Sequence, residues 1–147
     1  MLKTNALNQR SRLRIGIIGG SISGCAAAIE LTRAGHDVLV FERSSGELKG
    51  RGAGIGTPVS MLESLVERDL LDADFPHFRL AEMPFIGRAS TGDRLGHTTW
   101  VMPVSLALLN WADLYKNLRR RVSNDIYLAG RAVMAVQRRM GNAVTLR

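Results

Sequence analysis

The chain has 147 residues, of which 46% are hydrophobic and 22% are charged. A chain of this length buries enough surface for one core, so we expect a single domain. No stretch reaches the roughly 20 apolar residues that a membrane span needs. The net charge is +7, and arginines cluster at residues 119–121 and 138–139. These clusters are not interleaved with aromatic side chains that stack on bases, so we expect no nucleic-acid partner.

The amino-terminal segment and the single cysteine bear on location. Residues 1–12 are basic and lack the apolar core of a secretory signal, so we interpret them as a flexible leader, with a transit peptide as the alternative. Cys25 has no second cysteine with which to form an internal disulfide, and this fits a reducing compartment. We therefore expect a cytoplasmic protein.

Residues 13–42 predict a strand, a helix and a second strand. Residues 13–18 are a short apolar, branched run, which is typical of a buried strand. Residues 21–34 have helical spacing and stop at Gly35, and residues 37–42 form another apolar run. A βαβ unit of this length implies parallel strands and a right-handed crossover, so the expected fold class is α/β.

The middle of the chain predicts a loop, a helix and a β hairpin. Residues 44–56 are rich in glycine and are interpreted as a loop. Thr57 is expected to cap the helix that follows, with Pro58 at its first position. Residues 78–89 and 95–102 alternate as strands do, and residues 90–93 between them have the composition of a turn.

The last third predicts one more helix and three short strands. Asn110 is expected to cap the helix, and Asp113 lies where a capping box places an acid. Strands are expected over three ranges, 126–128, 132–138 and 143–146. The Gly141-Asn142 pair predicts a hairpin turn between the last two.

The segment IGIIGGSISG, residues 15–24, carries the chemistry. A phosphate-binding P-loop would need lysine where Cys25 stands, and a nucleophile elbow would need glycine two residues on either side of a serine. The segment instead matches the dinucleotide fingerprint GxGxxG, with Ser21 in place of the second glycine. Gly19 permits the tight turn, Gly24 permits close packing of the helix on the strand, and the helix N-terminus would face the pyrophosphate.

Glu42 ends the second strand, 18 residues beyond Gly24. In this fold a carboxylate at that place accepts hydrogen bonds from the adenosine ribose, and it would repel a ribose 2′-phosphate. The sequence therefore predicts a dinucleotide site on a Rossmann-like βαβ unit.

Three segments together resemble one family: residues 18–24, the Glu42-Arg43 pair and the RGAGI run at residues 51–55. The family is the para-hydroxybenzoate hydroxylase family of flavoprotein monooxygenases, and the similarity is greatest to its dihydroxypyridine-hydroxylase-like members. The WADLY stretch at residues 111–115 is similar to a W-x-x-L-Y stretch of those members. The resemblance implies that FAD is bound by a set of nine residues: Gly19, Gly20, Ser21, Ile22, Ser23, Gly24, Glu42, Arg43 and Arg51.

The resemblance also implies an activity and an incomplete domain. It implies hydroxylation of a small aromatic or heteroaromatic substrate with O2, and NAD(P)H as a transient reductant. Residues 13–147 would be the N-terminal part of the FAD-binding domain, with a partial substrate-side β region near residues 78–102. The family's later G-A-D-G motif does not occur here, the Gly92-Asp93 pair belongs to the predicted turn and is not taken as the family's later G-D motif, and no residue is nominated as a catalytic group or metal ligand.

Two alternatives stay open at this point. One is another oxidoreductase on the same turn, either an NAD-dependent dehydrogenase or a flavin reductase, although the expected hairpin over 78–102 does not suit a doubly wound dehydrogenase. The other is a non-catalytic or truncated dinucleotide-binding module. We also expect the last strand to leave an unpaired edge that favours self-association.

Overall fold

The computed structural model describes residues 12–46, 48, 54–88, 96–139 and 144–147. They form two compact units, residues 12–48 with 118–147, and residues 54–117, each with the gaps just given. The elements in chain order are β1 (Arg14–Ile18), α1 (Ile22–Arg33), β2 (Asp37–Glu42), β3 (Gly54–Pro58), α2 (Val59–Glu67), β4 (Phe78–Gly87), β5 (His97–Asn110), α3 (Trp111–Arg119), β6 (Tyr127–Ala129), β7 (Val136–Arg138) and β8 (Val144–Leu146).

The first unit is built on a three-stranded parallel sheet in the order β1-β2-β6. Alternate residues of the central strand β2 are buried, among them Val38 and Val40. The buried residues of α1 include Cys25 and Ala28, which are small enough to let the helix lie close to the sheet. This arrangement confirms the predicted βαβ unit to within two residues at each boundary.

The β7–β8 hairpin lies on the other face of the same sheet. Ile17 lies beside α1, because its Cγ2 would be 3.5 Å from a methyl group on Gly24. Gly16 therefore points to the opposite face, since successive strand residues alternate. Leu146 of β8 reaches that face, where its Cδ1 would be 2.9 Å from a methyl group on Gly16. The unit thus has three layers: a helix, a parallel sheet and a hairpin.

The second unit is an antiparallel sheet in the order β3-β5-β4. Gly54 pairs with Asn110 at one end of β3, and Pro58 pairs with Leu106 at the other. The β4–β5 ladder confirms the predicted hairpin, with irregularities between Leu80 and Glu82 and between Phe85 and Ile86. Residues 89–95, which include the predicted turn, lie outside the described residues.

Two predictions for this unit are wrong. Gly54–Pro58 is a strand and not the end of a loop, so Pro58 and not Thr57 occupies the N-cap position of α2, and no side-chain hydrogen bond caps that helix. The predicted second hairpin strand ended at residue 102, but β5 continues to Asn110. Both errors have one cause: the pairing of β3 with the far half of β5 joins segments about 50 positions apart, and the local sequence does not encode it.

Asn110 caps α3 as predicted, because its Oδ1 accepts hydrogen bonds from the N–H groups of Ala112 at 2.8 Å and Asp113 at 3.3 Å. The Gly141-Asn142 turn and residues 1–11 of the expected leader lie outside the described residues. In the ranges that the structure describes, no helix has the length and apolar character to cross a membrane.

Candidate dinucleotide-binding site

The turn between β1 and α1 needs glycine at three positions for three different reasons. Gly19 has φ 101°, a left-handed conformation that side chains rarely adopt. A methyl group on Gly20 would overlap the ring and hydroxyl of Tyr127. A methyl group on Gly24 would overlap the carbonyl oxygen of Gly19, so glycine there allows the close packing of helix on turn that the fingerprint requires.

The N-terminus of α1 has the properties of an anion site. The N–H groups of its first three residues, 22–24, have no acceptor within the helix. Ser21 is the N-cap residue, but its hydroxyl makes no capping hydrogen bond, and the first turn contains no acidic residue. The hydroxyl and the helix N–H groups are therefore available to an anion, which the helix dipole also favours.

Glu42 lies beside this turn as a buried carboxylate, 7% exposed. Its Oε2 accepts a hydrogen bond from the Gly20 N–H at 2.9 Å, and its Oε1 accepts one from the Ser44 N–H at 2.9 Å. Burial raises the pKa of Glu42, but the hydrogen bonds from Ser44 and Gly20 and the charge of Arg43 outweigh it and hold the pKa below 4.5. The carboxylate is therefore ionised at neutral pH.

The structure brings most of the predicted site residues together. Gly19–Gly24 form the turn and first helical residues, and Glu42 is hydrogen-bonded to that turn. Arg43 follows Glu42 as an exposed residue. Arg51 lies outside the described residues. The Gly20 N–H is engaged by Glu42, so the backbone donors left for a ligand begin after Gly20.

Tyr127 of β6 is the site residue that sequence reasoning missed. Its hydroxyl donates a hydrogen bond to the Gly20 carbonyl at 2.9 Å, across 107 positions of the chain. The pairing of Val40 with Tyr127 in the sheet brings it there. The guanidinium of Arg119 lies 3.8 Å from the centroid of the Tyr127 ring. No local pattern marks Tyr127, because its role depends on the strand order.

Cys25 is a buried core residue and not a nucleophile. Its Sγ lies 3.3 Å from the Gly20 carbonyl oxygen, to which the thiol donates. Burial raises the pKa of Cys25 to about 11, while the charge of Arg119 lowers it and that of Glu42 raises it. The thiol therefore stays protonated at neutral pH. No group of three or more His, Cys, Asp or Glu side chains within the described ranges is placed to hold a metal ion.

A Rossmann-like dinucleotide-binding unit is defined by the glycine turn, the N–H donors at the start of α1 and the carboxylate at the end of β2. Comparison with family models agrees: residues 17–51 match an NAD(P)-binding Rossmann-like domain. The unit is therefore of a class that FAD and NAD(P) share, and similarity over the rest of the chain is needed to distinguish them.

Similarity beyond the turn is to flavin-dependent hydroxylases. The chain is 30% identical over 123 residues to 2,6-dihydroxypyridine 3-monooxygenase of Paenarthrobacter nicotinovorans, covering 84% of this chain and 30% of that protein. The structure of 2,6-dihydroxypyridine-3-hydroxylase from Arthrobacter nicotinovorans superposes with a TM-score of 0.75 at 26% identity, covering 91% of this chain and 32% of that one.

A more distant structure has the same fold. Klebsiella pneumoniae HpxO, solved with FAD and uric acid, superposes with a TM-score of 0.68 at 19% identity, covering 97% of this chain and 36% of that one. The chain thus resembles FAD-dependent aromatic monooxygenases of the para-hydroxybenzoate hydroxylase type, as expected from its sequence. It spans about a third of the length of the relatives that it matches.

Proposed function

We propose that this chain binds FAD at the turn between β1 and α1. The pyrophosphate would accept hydrogen bonds from the free N–H groups at the start of α1 and from the Ser21 hydroxyl, which makes no cap. Because residues 20 and 24 are glycines, no side chain separates the turn from Tyr127 or the start of α1 from the Gly19 carbonyl. The fit of the pyrophosphate to this site is supported by the free N–H groups and the Ser21 hydroxyl, and by the ionised Glu42 carboxylate next to them.

Glu42 would accept hydrogen bonds from the adenosine ribose. Each of its oxygens already accepts one bond from the backbone, and a carboxylate oxygen has a second lone pair for a further donor. Arg43, exposed beside it, would lie near the same end of the cofactor. Arg51 would contact the phosphate or ribityl portion, as the resemblance of the RGAGI run implies.

The activity proposed for the protein is hydroxylation of an aromatic or heteroaromatic ring. FAD, when bound, supplies the redox chemistry, with O2 as co-substrate and NAD(P)H as transient reductant. The residues of this chain would bind and orient the cofactor, and none of them is assigned a proton transfer. The residue that carries the proposal is Glu42, because its buried charge is held at the turn where the ribose is expected. A cytoplasmic location and the single thiol, Cys25, are compatible with this activity.

A second candidate is a non-catalytic or NAD-binding unit, and the match of residues 17–51 to an NAD(P)-binding model favours it. Equilibrium titrations with FAD and with NAD⁺ distinguish the two. We expect saturable quenching of flavin fluorescence by the chain and a much weaker response to NAD⁺. Saturation by NAD⁺ with no response to FAD would overturn the FAD assignment.

The same titration tests Glu42. Glu42→Gln keeps the shape but removes the charge, and we expect FAD affinity to fall about tenfold or more, because charge-assisted hydrogen bonds are the strong ones. Glu67→Gln, an exposed change at the end of α2, is the matched control. Equal affinities for the two folded variants would contradict the role of Glu42.

We also propose self-association through the β7–β8 hairpin. In the described residues, β8 pairs with β7 alone, which leaves the other edge of each strand without a ladder partner. Sedimentation velocity across a range of concentrations measures this. A single monomer species at all concentrations would contradict the proposal.

A further inference from the structure

The hydroxyl of Tyr127 holds a single peptide group of the glycine turn. It donates to the carbonyl oxygen of Gly20 at 2.9 Å, and the Cys25 thiol donates to the same oxygen at 3.3 Å. All three groups are buried, with Tyr127 9% exposed and Cys25 fully buried. The Gly20 carbonyl is thus directed into the core of the unit, towards β6.

The direction of this carbonyl fixes the direction of the next N–H group. In a trans peptide the C=O of one residue and the N–H of the next point to opposite sides of a rigid plane, and the described chain contains no cis bond. With the Gly20 oxygen directed towards Tyr127, the Ser21 N–H is directed away from the core. The Gly19 N–H donates to the Phe41 carbonyl and the Gly20 N–H to Glu42, so the Ser21 N–H is the first backbone donor of the turn that neither of them engages.

The ring of Tyr127 is itself held in place. Gly20 lies against it so closely that a methyl group there would approach the ring Cε2 to 2.6 Å. The guanidinium of Arg119 stacks on the ring at 3.8 Å. Arg119 in turn donates hydrogen bonds to the Val122 carbonyl at 2.8 Å and to Asn124 Oδ1 at 2.7 Å. The hydroxyl therefore has little freedom to move from the Gly20 oxygen.

We propose that Tyr127, braced by Arg119, is a positioning residue that orients the Gly20–Ser21 peptide so that the Ser21 N–H faces the pyrophosphate of the bound dinucleotide. The inference rests on the proposed function, and it adds a residue from a strand that the glycine fingerprint does not include. Tyr127 would not touch the ligand; it acts through one peptide plane.

The test compares ligands that contain the pyrophosphate with one that lacks it. Tyr127→Phe removes only the hydroxyl, and we expect the affinities for FAD and for ADP to fall by the same factor, about threefold to tenfold. The affinity for adenosine, measured by NMR titration, is expected to stay unchanged. A residue with a merely structural role would weaken all three ligands together, so that result would overturn the inference.

Two further variants complete the design. Tyr115→Phe makes the same change at a tyrosine that is 4% exposed and stacks on Trp111, and it is expected to leave FAD affinity unchanged. Arg119→Lys keeps the charge and the Tyr127 hydroxyl but loses the planar stacking group. We expect it to weaken FAD and ADP, but not adenosine, by about twofold, and its effect is expected to be less than additive with that of Tyr127→Phe.

The outcomes separate the two claims. Normal FAD binding by the wild type with an unchanged Tyr127→Phe variant overturns the positioning role alone. A folded wild-type chain that binds neither FAD nor ADP overturns the proposed function, and this inference with it. If Tyr127→Phe does not fold by circular dichroism, Arg119→Lys decides: an unchanged ratio of ADP to adenosine affinity then overturns the role.

Discussion

Glu42 is a buried carboxylate whose two oxygens are held by backbone N–H groups from different segments, Gly20 in the turn and Ser44 after β2. Charge-assisted bonds of this kind offset the cost of removing the carboxylate from water. The same contacts tie the end of β2 to the start of the α1 turn. Glu42 therefore contributes to the stability of the unit as well as to the proposed ribose contact.

The lowered pKa of Glu42 predicts a specific acid sensitivity. A carboxyl with a lower pKa in the folded state than in the unfolded state binds fewer protons when folded, so its stabilising contribution is present above about pH 4.5 and is lost as pH falls through the lower folded-state value. Urea unfolding between pH 6 and pH 3 measures this. We expect Glu42→Gln to unfold with a smaller pH dependence below pH 4.5, and parallel curves for variant and wild type would contradict the assignment.

Gly24 predicts a steric effect of a single methyl group. Gly24→Ala would drive a Cβ into the backbone oxygen of Gly19, which no side-chain rotation relieves, and we expect a loss of about 1–3 kcal/mol in the free energy of unfolding. Gly46→Ala is the control, because its Cβ would meet nothing within 4 Å. Equal thermal stability of the two variants would show that helix and turn are not packed as described.

At the scale of elements, the N-termini of α1 and α3 differ in one informative way. The side-chain oxygen of Asn110 accepts hydrogen bonds from the N–H groups of Ala112 and Asp113, as that of an ordinary cap residue does. Ser21 occupies the equivalent place before α1, yet its hydroxyl makes no such bond. A helix end whose cap residue leaves its donors free is suited to a ligand, and one with satisfied donors is not.

This difference predicts opposite results for two alanine substitutions. Asn110→Ala removes a working cap, so we expect a loss of about 1 kcal/mol in stability. Ser21→Ala removes no capping hydrogen bond, so we expect a stability change within about 0.5 kcal/mol together with weaker FAD binding. Thermal unfolding and FAD titration of both variants check this. A destabilised Ser21→Ala variant with normal FAD affinity would reverse the interpretation of α1.

At the scale of the whole molecule, local signals account for what could be predicted from the sequence. The unit β1-α1-β2 follows from an apolar run, a glycine turn and helical spacing within thirty residues, and the cap of α3 follows from Asn110 alone. Strand β3 could not be predicted in this way, because the sequence GIGTP has no strand signal and the segment is held by its pairing with β5. The prediction for its partner strand β5 ends too early, at residue 102 and not at Asn110, for the same reason.

The site residues also divide into those that the sequence predicts and those that it does not. The close approach of Glu42 to the glycine turn was predictable, because consecutive parallel strands place their carboxyl ends at one edge of the sheet. Tyr127 was not, since the sequence predicts a strand near residues 126–128 but does not say which strand it joins. Only the order β1-β2-β6 brings its hydroxyl to Gly20.

The central claim, that FAD binds at the turn before α1, is tested most directly by the backbone amide spectrum of the ¹⁵N-labelled chain during titration with FAD. We predict saturable shifts that are largest for the amides of Ser21, Ile22, Ser23 and Gly24, with smaller ones at Ser44. A folded chain whose turn amides do not move at saturating FAD, or whose largest shifts fall within residues 54–88, would contradict the account.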